Sequence, residues 1–257
     1  MGAMMQGPQA KPKASKSNVL GFTLYHGPSV LDPSRTIAAI LTLKTSNRKT
    51  GNMAQVWIID AGALDPVELS KAKLDSSICG NCPHKQSAGG ACYVNIGQAP
   101  LAVYRAFKRG RYEPFVPSEH GSMLATRRVR LGAYGDPAAV PFAILEQITK
   151  LSLAHTGYTH QAAHAAFDSR YTQICMVSAD TPAQAIKWQA KGAHTFRVAL
   201  AGDTLAANEV ECLADSKGLT CNECGLCDGS KGNVAITVHG SRSKRFKSKL
   251  INLTEVA

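Results

Sequence analysis

Cysteine is the residue type in this chain whose spacing points most directly to chemistry. Seven of its eight cysteines fall in two short polar stretches, whereas Cys175 lies in an apolar run and is expected to pack in the core. Thiols separated by two residues can be turned toward one metal centre. The sequence therefore predicts two metal sites. The first group is Cys79, Cys82 and Cys92, and the second is Cys212, Cys221, Cys224 and Cys227.

The number of thiolates in each group limits which metal centre the group can hold. Four thiolates in the second group suit either a tetrahedral zinc ion or a 4Fe–4S cluster, and His239 is an alternative fourth ligand. The first group has three thiolates, which leaves one iron of a 4Fe–4S cluster open to a further ligand. If His84 binds as well, the group is instead a closed zinc site.

The composition favours an anionic partner and a reducing compartment. Lysine and arginine exceed aspartate and glutamate by 29 to 18, so the formal net charge is +11, although much of the excess lies in the tails. No apolar stretch is long enough for a membrane span, and the first residues lack the apolar core of a secretory signal. We therefore expect a cytoplasmic protein with reduced cysteines, no membrane partner and an unknown oligomeric state.

Basic residues interleaved with aromatic ones predict a nucleic-acid face. Alternating arginines on a strand are equally typical of a solvated edge. The polar turn Thr45–Gly51 is a further candidate for phosphate, with a solvated hairpin loop as the alternative. The cations predicted to contact nucleic acid are Arg105, Lys108, Arg109, Arg111, Arg128 and Arg130.

Apolar runs and helical periodicity alternate along the chain, which is typical of parallel βαβ units. The sequence predicts an α/β fold, with a parallel βα barrel or partial barrel and a C-terminal cysteine-rich metal-binding element. Predicted strands cover 37–43, 55–60, 127–132, 171–179, 194–200 and 234–239, with a short strand or turn at 157–160. Predicted helices cover 62–78, 99–108, 140–153 and 182–191.

Three regions follow from this pattern. Residues 1–18 are predicted to be a disordered basic tail. Residues 19–205 form the barrel-like domain, which includes the cysteine loop 79–92, and 206–257 hold the second cysteine group, the last strand and a basic tail. Polar residues that follow the strands, such as Tyr134, Thr156, Tyr158, His160 and His164, are candidates to line a pocket at the strand ends.

The three-cysteine loop ending in Cys92-Tyr93 resembles the cluster loop of radical S-adenosylmethionine enzymes. The order of a Cys…Cys-Tyr loop, the strand around Leu131–Pro137 and a C-terminal Cys-x2-Cys-x2-Cys resembles more closely a family of uncharacterised cysteine-rich phage proteins. The resemblance to radical S-adenosylmethionine enzymes implies a 4Fe–4S cluster on the first group and S-adenosylmethionine beside the glycine-rich turn of Gly132 and Gly135. The resemblance to the phage proteins implies a phage origin, with the host cytoplasm as the compartment. The first group has the spacing Cys-x2-Cys-x9-Cys, whereas that enzyme family usually has Cys-x3-Cys-x2-Cys.

The second cysteine group is also similar to the zinc site of tRNA-guanine transglycosylases and their DNA-acting relatives. That resemblance implies a carboxylate nucleophile, for which Asp136 is the candidate; Gly-Asp-Pro is otherwise a good helix cap. Three functions follow: an iron–sulfur, radical-SAM-like enzyme of phage origin acting on nucleic acid or nucleotides, a zinc-containing DNA-guanine transglycosylase that inserts a 7-deazaguanine, or a non-catalytic zinc protein that binds nucleic acid. The first is favoured, with Tyr134 and Asp136 as the candidate catalytic residues.

Overall fold

A computed structural model describes residues 20–238 and 244–246. Ten strands form one sheet in the order β4-β1-β2-β3-β5-β6-β7-β8-β10-β9. The strands are β1 Gly21–Pro28, β2 Thr36–Thr42, β3 Ala54–Asp60, β4 Glu113–Pro114, β5 Arg128–Tyr134, β6 Ala154–Thr159, β7 Met176–Ala179, β8 Thr195–Ala199, β9 Glu209–Glu211 and β10 Asn233–Thr237.

Most of the sheet is parallel. β1, β2 and β3 run antiparallel as a meander, and every other pairing, from β3 with β5 to β10 with β9, is parallel. β2 and β3 consist almost wholly of buried residues, as expected for central strands covered on both faces. Because β4 and β9 each have a single neighbour, the sheet is open.

Helices connect the parallel strands and contact the sheet, α1 and α3 at β3, α5 at β5 and α6 at β7 and β8. Their starts follow the sequence closely. Asp65 forms a capping box with Glu68, and Thr181 caps α6 through the Gln184 N–H. The helices are α1 Pro66–Lys71, α2 Ser76–Cys79, α3 Ala99–Lys108, α4 Pro117–His120, α5 Phe142–Leu151, α6 Pro182–Gln189, α7 Leu213–Ser216 and α8 Cys221–Cys224.

The two faces of β5 have different partners. Val129 and Leu131 lie in the main apolar core together with residues of β2, β3 and α5. Side chains alternate along a strand, so Arg128 and Arg130 lie on the opposite face. On that face the second cysteine segment packs against β6, β8 and β10, with Cys227 buried among their apolar side chains.

The predicted α/β class with a mostly parallel sheet is confirmed, and the complete barrel does not form because the sheet has two edges. β1 was not predicted. The helix predicted over 62–78 is two short helices. The first three residues of the strand predicted over 171–179 belong instead to a 3₁₀ turn, Ser169–Gln173. The boundary predicted near residue 205 falls between β8 and β9, which lie in the same sheet. The predicted tail 1–18 and His239 lie outside the described residues.

In the part of the chain that the structure describes, no helix combines the length and the apolar character needed to cross a membrane.

Candidate metal centres

The first cysteine loop lies at the carboxyl ends of β5 and β6. Cys79 is the last residue of α2, and the carbonyl of Ile78 accepts a 2.7 Å hydrogen bond from the Asp136 N–H, just beyond β5. Gln161, just beyond β6, donates through Nε2 to the Cys79 carbonyl at 3.0 Å and accepts from the Asn81 N–H at 3.2 Å. The turn that carries the first two thiols is therefore held by residues at two neighbouring strand ends.

Gly80 allows this close approach. Its φ is +50°, and a Cβ added there would lie 2.1 Å from the Gln161 side-chain oxygen. Gln161 itself is fully buried. A side chain at position 80 would therefore displace the amide that holds the loop.

The three thiols of the first group lie close enough to interact electrostatically. Burial raises the pKa of the Cys79 thiol well above its usual value, and the neighbouring Cys82 and Cys92 raise it further. The buried phenol of Tyr134 lies in the same environment, since burial and then Cys79, Asp75 and Cys92 raise its pKa. The structure thus brings together the first group and one of the candidate catalytic residues. Metal binding has to displace protons from such thiols.

Two histidines and a carboxylate border the first group. His84 Nε2 lies 2.7 Å from Asp180 Oδ1, and His160 Nε2 lies 3.3 Å from the same oxygen. His160 also contacts the Cys82 thiol; although burial lowers the pKa of its imidazole, Cys82 and Asp180 outweigh this effect and raise it overall. The pKa of Asp180 is depressed because its hydrogen bonds to the two imidazoles outweigh its burial. His84 Nδ1 is buried without a hydrogen-bond partner.

Asp136 is engaged by the fold. Its Oδ1 accepts from the Thr159 hydroxyl at 2.8 Å and from the Ala138 N–H at 3.0 Å, and its Oδ2 accepts from the His160 N–H at 2.8 Å. Burial raises its pKa, and these hydrogen bonds oppose that shift. The carboxylate caps the turn after β5 and hydrogen-bonds to the end of β6, so it has a structural role. Its predicted role as nucleophile stays a prediction.

The glycines assigned to S-adenosylmethionine are accounted for by packing. A Cβ on Gly132, whose φ is +72°, would lie 2.9 Å from the Gly135 carbonyl oxygen. A Cβ on Gly135, whose φ is +75°, would lie 2.7 Å from the Ile58 side chain. The missing side chains make room for the chain itself, and the assignment of this turn to S-adenosylmethionine stays a prediction.

The second group is built on α8, where Thr220 and Glu223 form a capping box around Cys221. The carbonyls of Lys49 and Thr50 accept hydrogen bonds from the N–H groups of Cys221 and Asn222 at 2.9 and 3.1 Å. The turn predicted as a phosphate loop thus presents backbone acceptors to the start of α8.

The remaining thiols of this group are tied to the sheet. The Cys212 N–H donates to the Ala235 carbonyl of β10 at 2.8 Å, and the Cys227 carbonyl accepts from the Gly157 N–H of β6 at 2.9 Å. Burial raises the pKa of the Cys227 thiol to about 12, and a hydrogen bond from Tyr158 opposes that shift. Cys175 packs beneath Gly157 as predicted, fully buried.

Arg130 lies between the two cysteine groups. Its guanidinium donates to the Tyr93 hydroxyl, next to Cys92, and lies over the Tyr158 ring at 5.6 Å. Burial lowers the pKa of Arg130, but the neighbouring Tyr93, Tyr158 and Cys221 side chains outweigh this effect and raise it overall. Arg130 therefore interacts electrostatically with the Cys221 thiol of the second group and reaches the first group only through Tyr93, the neighbour of Cys92.

The six cations predicted for nucleic acid separate into two sets. Arg105, Lys108, Arg109 and Arg111 are exposed at the end of α3. Arg128 and Arg130 are half-buried, and Arg128 packs so closely on Gly225 that a Cβ there would lie 2.0 Å from its Nη1. The first four are open to solvent, whereas Arg128 and Arg130 are partly covered by other parts of the chain.

The spacing of the thiols bears on the metal. All eight cysteines are among the described residues, and no three of their sulfurs lie within 4.8 Å of one another. Among these residues, the ligand atoms that do approach one another so closely are those of His84, His160 and Asp180. Tetrahedral zinc with bonds of about 2.3 Å brings its sulfurs to about 3.8 Å from one another. In a 4Fe–4S cluster each thiolate binds a different iron, so the sulfurs stand farther apart. A closed zinc site would therefore require the sulfurs of either group to move closer together.

The sequence pattern assigns no site role to Gln161 or to Asp180. The available signal was position, because both residues directly follow parallel strands. Comparison of the chain with protein family models, with curated proteins and with solved structures gave no match.

Proposed function

We propose that the protein is an iron–sulfur enzyme that acts on nucleic acid or nucleotides. Cys79, Cys82 and Cys92 hold the catalytic 4Fe–4S cluster. The observation that carries this proposal is the convergence of three thiols at the carboxyl ends of parallel strands, beside Tyr134 and His160. In α/β sheets this edge is where ligands bind.

The open sheet acts in this proposal as a partial barrel, and the segment from Cys212 to Cys227 is a C-terminal metal element. Its four thiolates hold a second cluster or a zinc ion. Support comes from the ties of this segment to β6 and β10 and from its place on the face opposite the apolar core. Arg130 offsets negative charge at Cys221 of the second group.

The cluster, when bound, supplies one-electron chemistry at an iron without a protein thiolate. The chain's own residues position and tune it. Gln161 fixes the Cys79–Asn81 turn, and His160 donates toward the Cys82 sulfur while Asp180 orients its ring. Such partners of metal ligands fix their orientation and affinity. A radical-SAM-like reaction stays a prediction of the resemblance, since packing within the chain already accounts for Gly132 and Gly135.

Nucleic acid or nucleotides are the proposed substrate because the chain carries a net charge of +11 and exposes four cations at the end of α3. The transglycosylase alternative is less well supported, since three donors already occupy the Asp136 carboxylate.

Metal content and the visible spectrum of protein purified without oxygen test the proposal. We expect four or eight irons per chain and a broad band near 400 nm, which are properties of one or two 4Fe–4S clusters. Cys82→Ser should remove the first centre alone and Cys224→Ser the second alone. Cys175→Ala is the matched control and should leave the metal content unchanged. Two zinc ions without iron would overturn the proposal in favour of a zinc protein.

A further inference from the structure

A groove lies beside the first cysteine loop and outside the set of cations predicted for nucleic acid. Its volume is about 540 Å³, and it is open to solvent along much of its length. One wall is the carboxyl end of α1, with Ser70, Lys71 and Lys73, and the other includes Gln86 and Ser87 of the cysteine loop. A ligand in this groove therefore rests against the loop that carries the thiols.

The charge of the groove is positive. Lys71, Lys73 and Arg245 line it, and no carboxylate does. Neutral donors accompany the cations: the Ser70 hydroxyl, and the amide of Asn95, whose oxygen already accepts from the Gly97 N–H at 3.2 Å. Val67 and Ile96 add apolar surface. Several cations together with hydroxyl and amide donors are the chemistry that recognises a phosphate ester.

Lys73 occupies a strained backbone position. The N–H groups of Lys73 and Leu74 donate to the carbonyls of Ser70 and Leu69 at 3.1 and 3.0 Å, which closes α1 with a Schellman motif. The residue at this position of the motif is usually glycine, because it adopts a left-handed conformation. Lys73 adopts it with φ +59°, alone among the non-glycine residues that the structure describes. A lysine at a position whose backbone conformation favours glycine points to a functional use of its charge.

Arg245 reaches the groove from the far end of the chain and is held there by its neighbour. Phe246 is almost fully buried, and its ring stacks on His84 with 5.1 Å between the centroids. His84 in turn is hydrogen-bonded to Asp180 beside the first group. The end of α1 and the segment around Arg245, which are distant in sequence, thus both place cations in this groove.

We propose that this groove binds a phosphate of the substrate, carried by a nucleic-acid strand or by a free nucleotide. That the phosphate belongs to the substrate rests on the proposed function. Phosphate binding by the groove does not require the cluster. A bound phosphate places the attached nucleotide alongside the first centre.

The test is fluorescence anisotropy of the full-length, metal-loaded protein with a labelled single-stranded oligothymidylate between 50 and 300 mM salt. Each lost phosphate contact should reduce the slope of log K against log salt by about 0.7, so that Lys71→Gln, Lys73→Gly and Arg245→Gln together reduce it by about 2. Lys187→Gln with Lys191→Gln, exposed cations of the α6 region, is the matched control and should leave the slope unchanged.

Lys73→Gly separates binding from folding. Glycine relieves the left-handed strain, so this variant should melt at a higher temperature than the parent while it binds the oligonucleotide less tightly. A nucleoside triphosphate and inorganic phosphate serve as competitors. Displacement by the triphosphate at concentrations where phosphate fails assigns the groove to a free nucleotide, and resistance to both assigns it to a strand.

An unchanged affinity and slope in the triple variant would overturn the inference. The iron content and the 400 nm band of every variant are recorded alongside. If the triple variant loses oligonucleotide binding but keeps the 400 nm band, the result supports phosphate binding in the groove. If the variant loses binding and the protein contains only zinc, phosphate binding is still supported but the iron–sulfur proposal fails.

Discussion

The buried amide of Gln161 donates a hydrogen bond of 3.0 Å to the carbonyl oxygen of Cys79. Its oxygen also accepts from the Asn81 N–H, so one side chain from the end of β6 satisfies two backbone groups of the first cysteine turn. A buried polar group that loses its partner costs about 1–3 kcal/mol. The geometry of the first centre thus depends on a residue outside the cysteine loop.

Replacement of Gln161 by leucine should therefore lower the free energy of unfolding by about 1–3 kcal/mol and empty the first centre selectively. Urea denaturation and metal analysis measure the two effects. Gln173→Leu, an exposed position in the turn before β7, is the control and should change neither. Full metal occupancy in Gln161→Leu would show that the loop holds its shape without the amide.

The hydroxyl of Tyr158 should stabilise the second centre. It hydrogen-bonds to the Cys227 sulfur while its ring packs edge-on against Phe196, so Tyr158→Phe removes the hydrogen bond and keeps the packing. Loss of such a partner of a metal ligand typically lowers metal affinity 10- to 100-fold. Competition with a chelator measures the change at the second centre.

Tyr171→Phe is the matched control for this experiment. It removes a hydroxyl that donates to the Val140 carbonyl at 2.6 Å. We expect reduced stability with unchanged metal affinity. Equal chelator sensitivity in the two variants would mean that Tyr158 acts through the fold alone.

The elements that the sequence predicts best are those whose cause is local. Strand β3 is an apolar run, and α6 begins at a Thr-Pro pair that supplies the cap and the first turn. The grouping of the cysteines is likewise local. These features follow from neighbours in the chain, so pattern alone predicts them.

The rest depends on contacts between distant residues. Alternation places Arg128 and Arg130 on one face of β5, yet sequence does not reveal that Gly225 and Tyr158 cover that face. β1 mixes buried and half-exposed residues, and its pairing with β2 and β4 decides its structure. The same holds for Phe246, which packs on His84.

Asp136→Asn distinguishes a tie from a nucleophile. The asparagine places an NH₂ group where a carboxylate oxygen accepts from a backbone or hydroxyl donor, so at least one hydrogen bond is lost. We expect the free energy of unfolding to fall by about 1–3 kcal/mol. Thermal unfolding measured beside a base-exchange assay decides the role. An unchanged stability with loss of base exchange would instead identify Asp136 as the nucleophile.

The pair of Arg197 on β8 and Glu209 on β9 should be the main pH-sensitive tie of the second cysteine segment. Two hydrogen bonds of 2.8 and 2.7 Å join the side chains across β10, and both side chains are 1% exposed. The hydrogen bonds from Arg197 depress the pKa of Glu209 below its ordinary value of 4.5. A depressed folded-state pKa contributes stability that is complete above the unfolded value and is lost as the pH falls through the folded value.

Glu209→Gln should therefore flatten the loss of stability that the parent shows below about pH 4.5. At pH 7 it leaves Asp203, 3.9 Å away, as the remaining counter-charge of the buried Arg197 guanidinium. Loss of one partner of a buried ion pair typically costs about 3–5 kcal/mol, and Asp203 should keep the cost at the lower end of that range. Asp168→Asn, in the exposed pair with Arg170, is the control and should cost less than about 1 kcal/mol. Urea denaturation from pH 3 to pH 7 measures both effects. Parallel curves for Glu209→Gln and the parent below pH 4.5 would mean that other carboxylates govern acid unfolding.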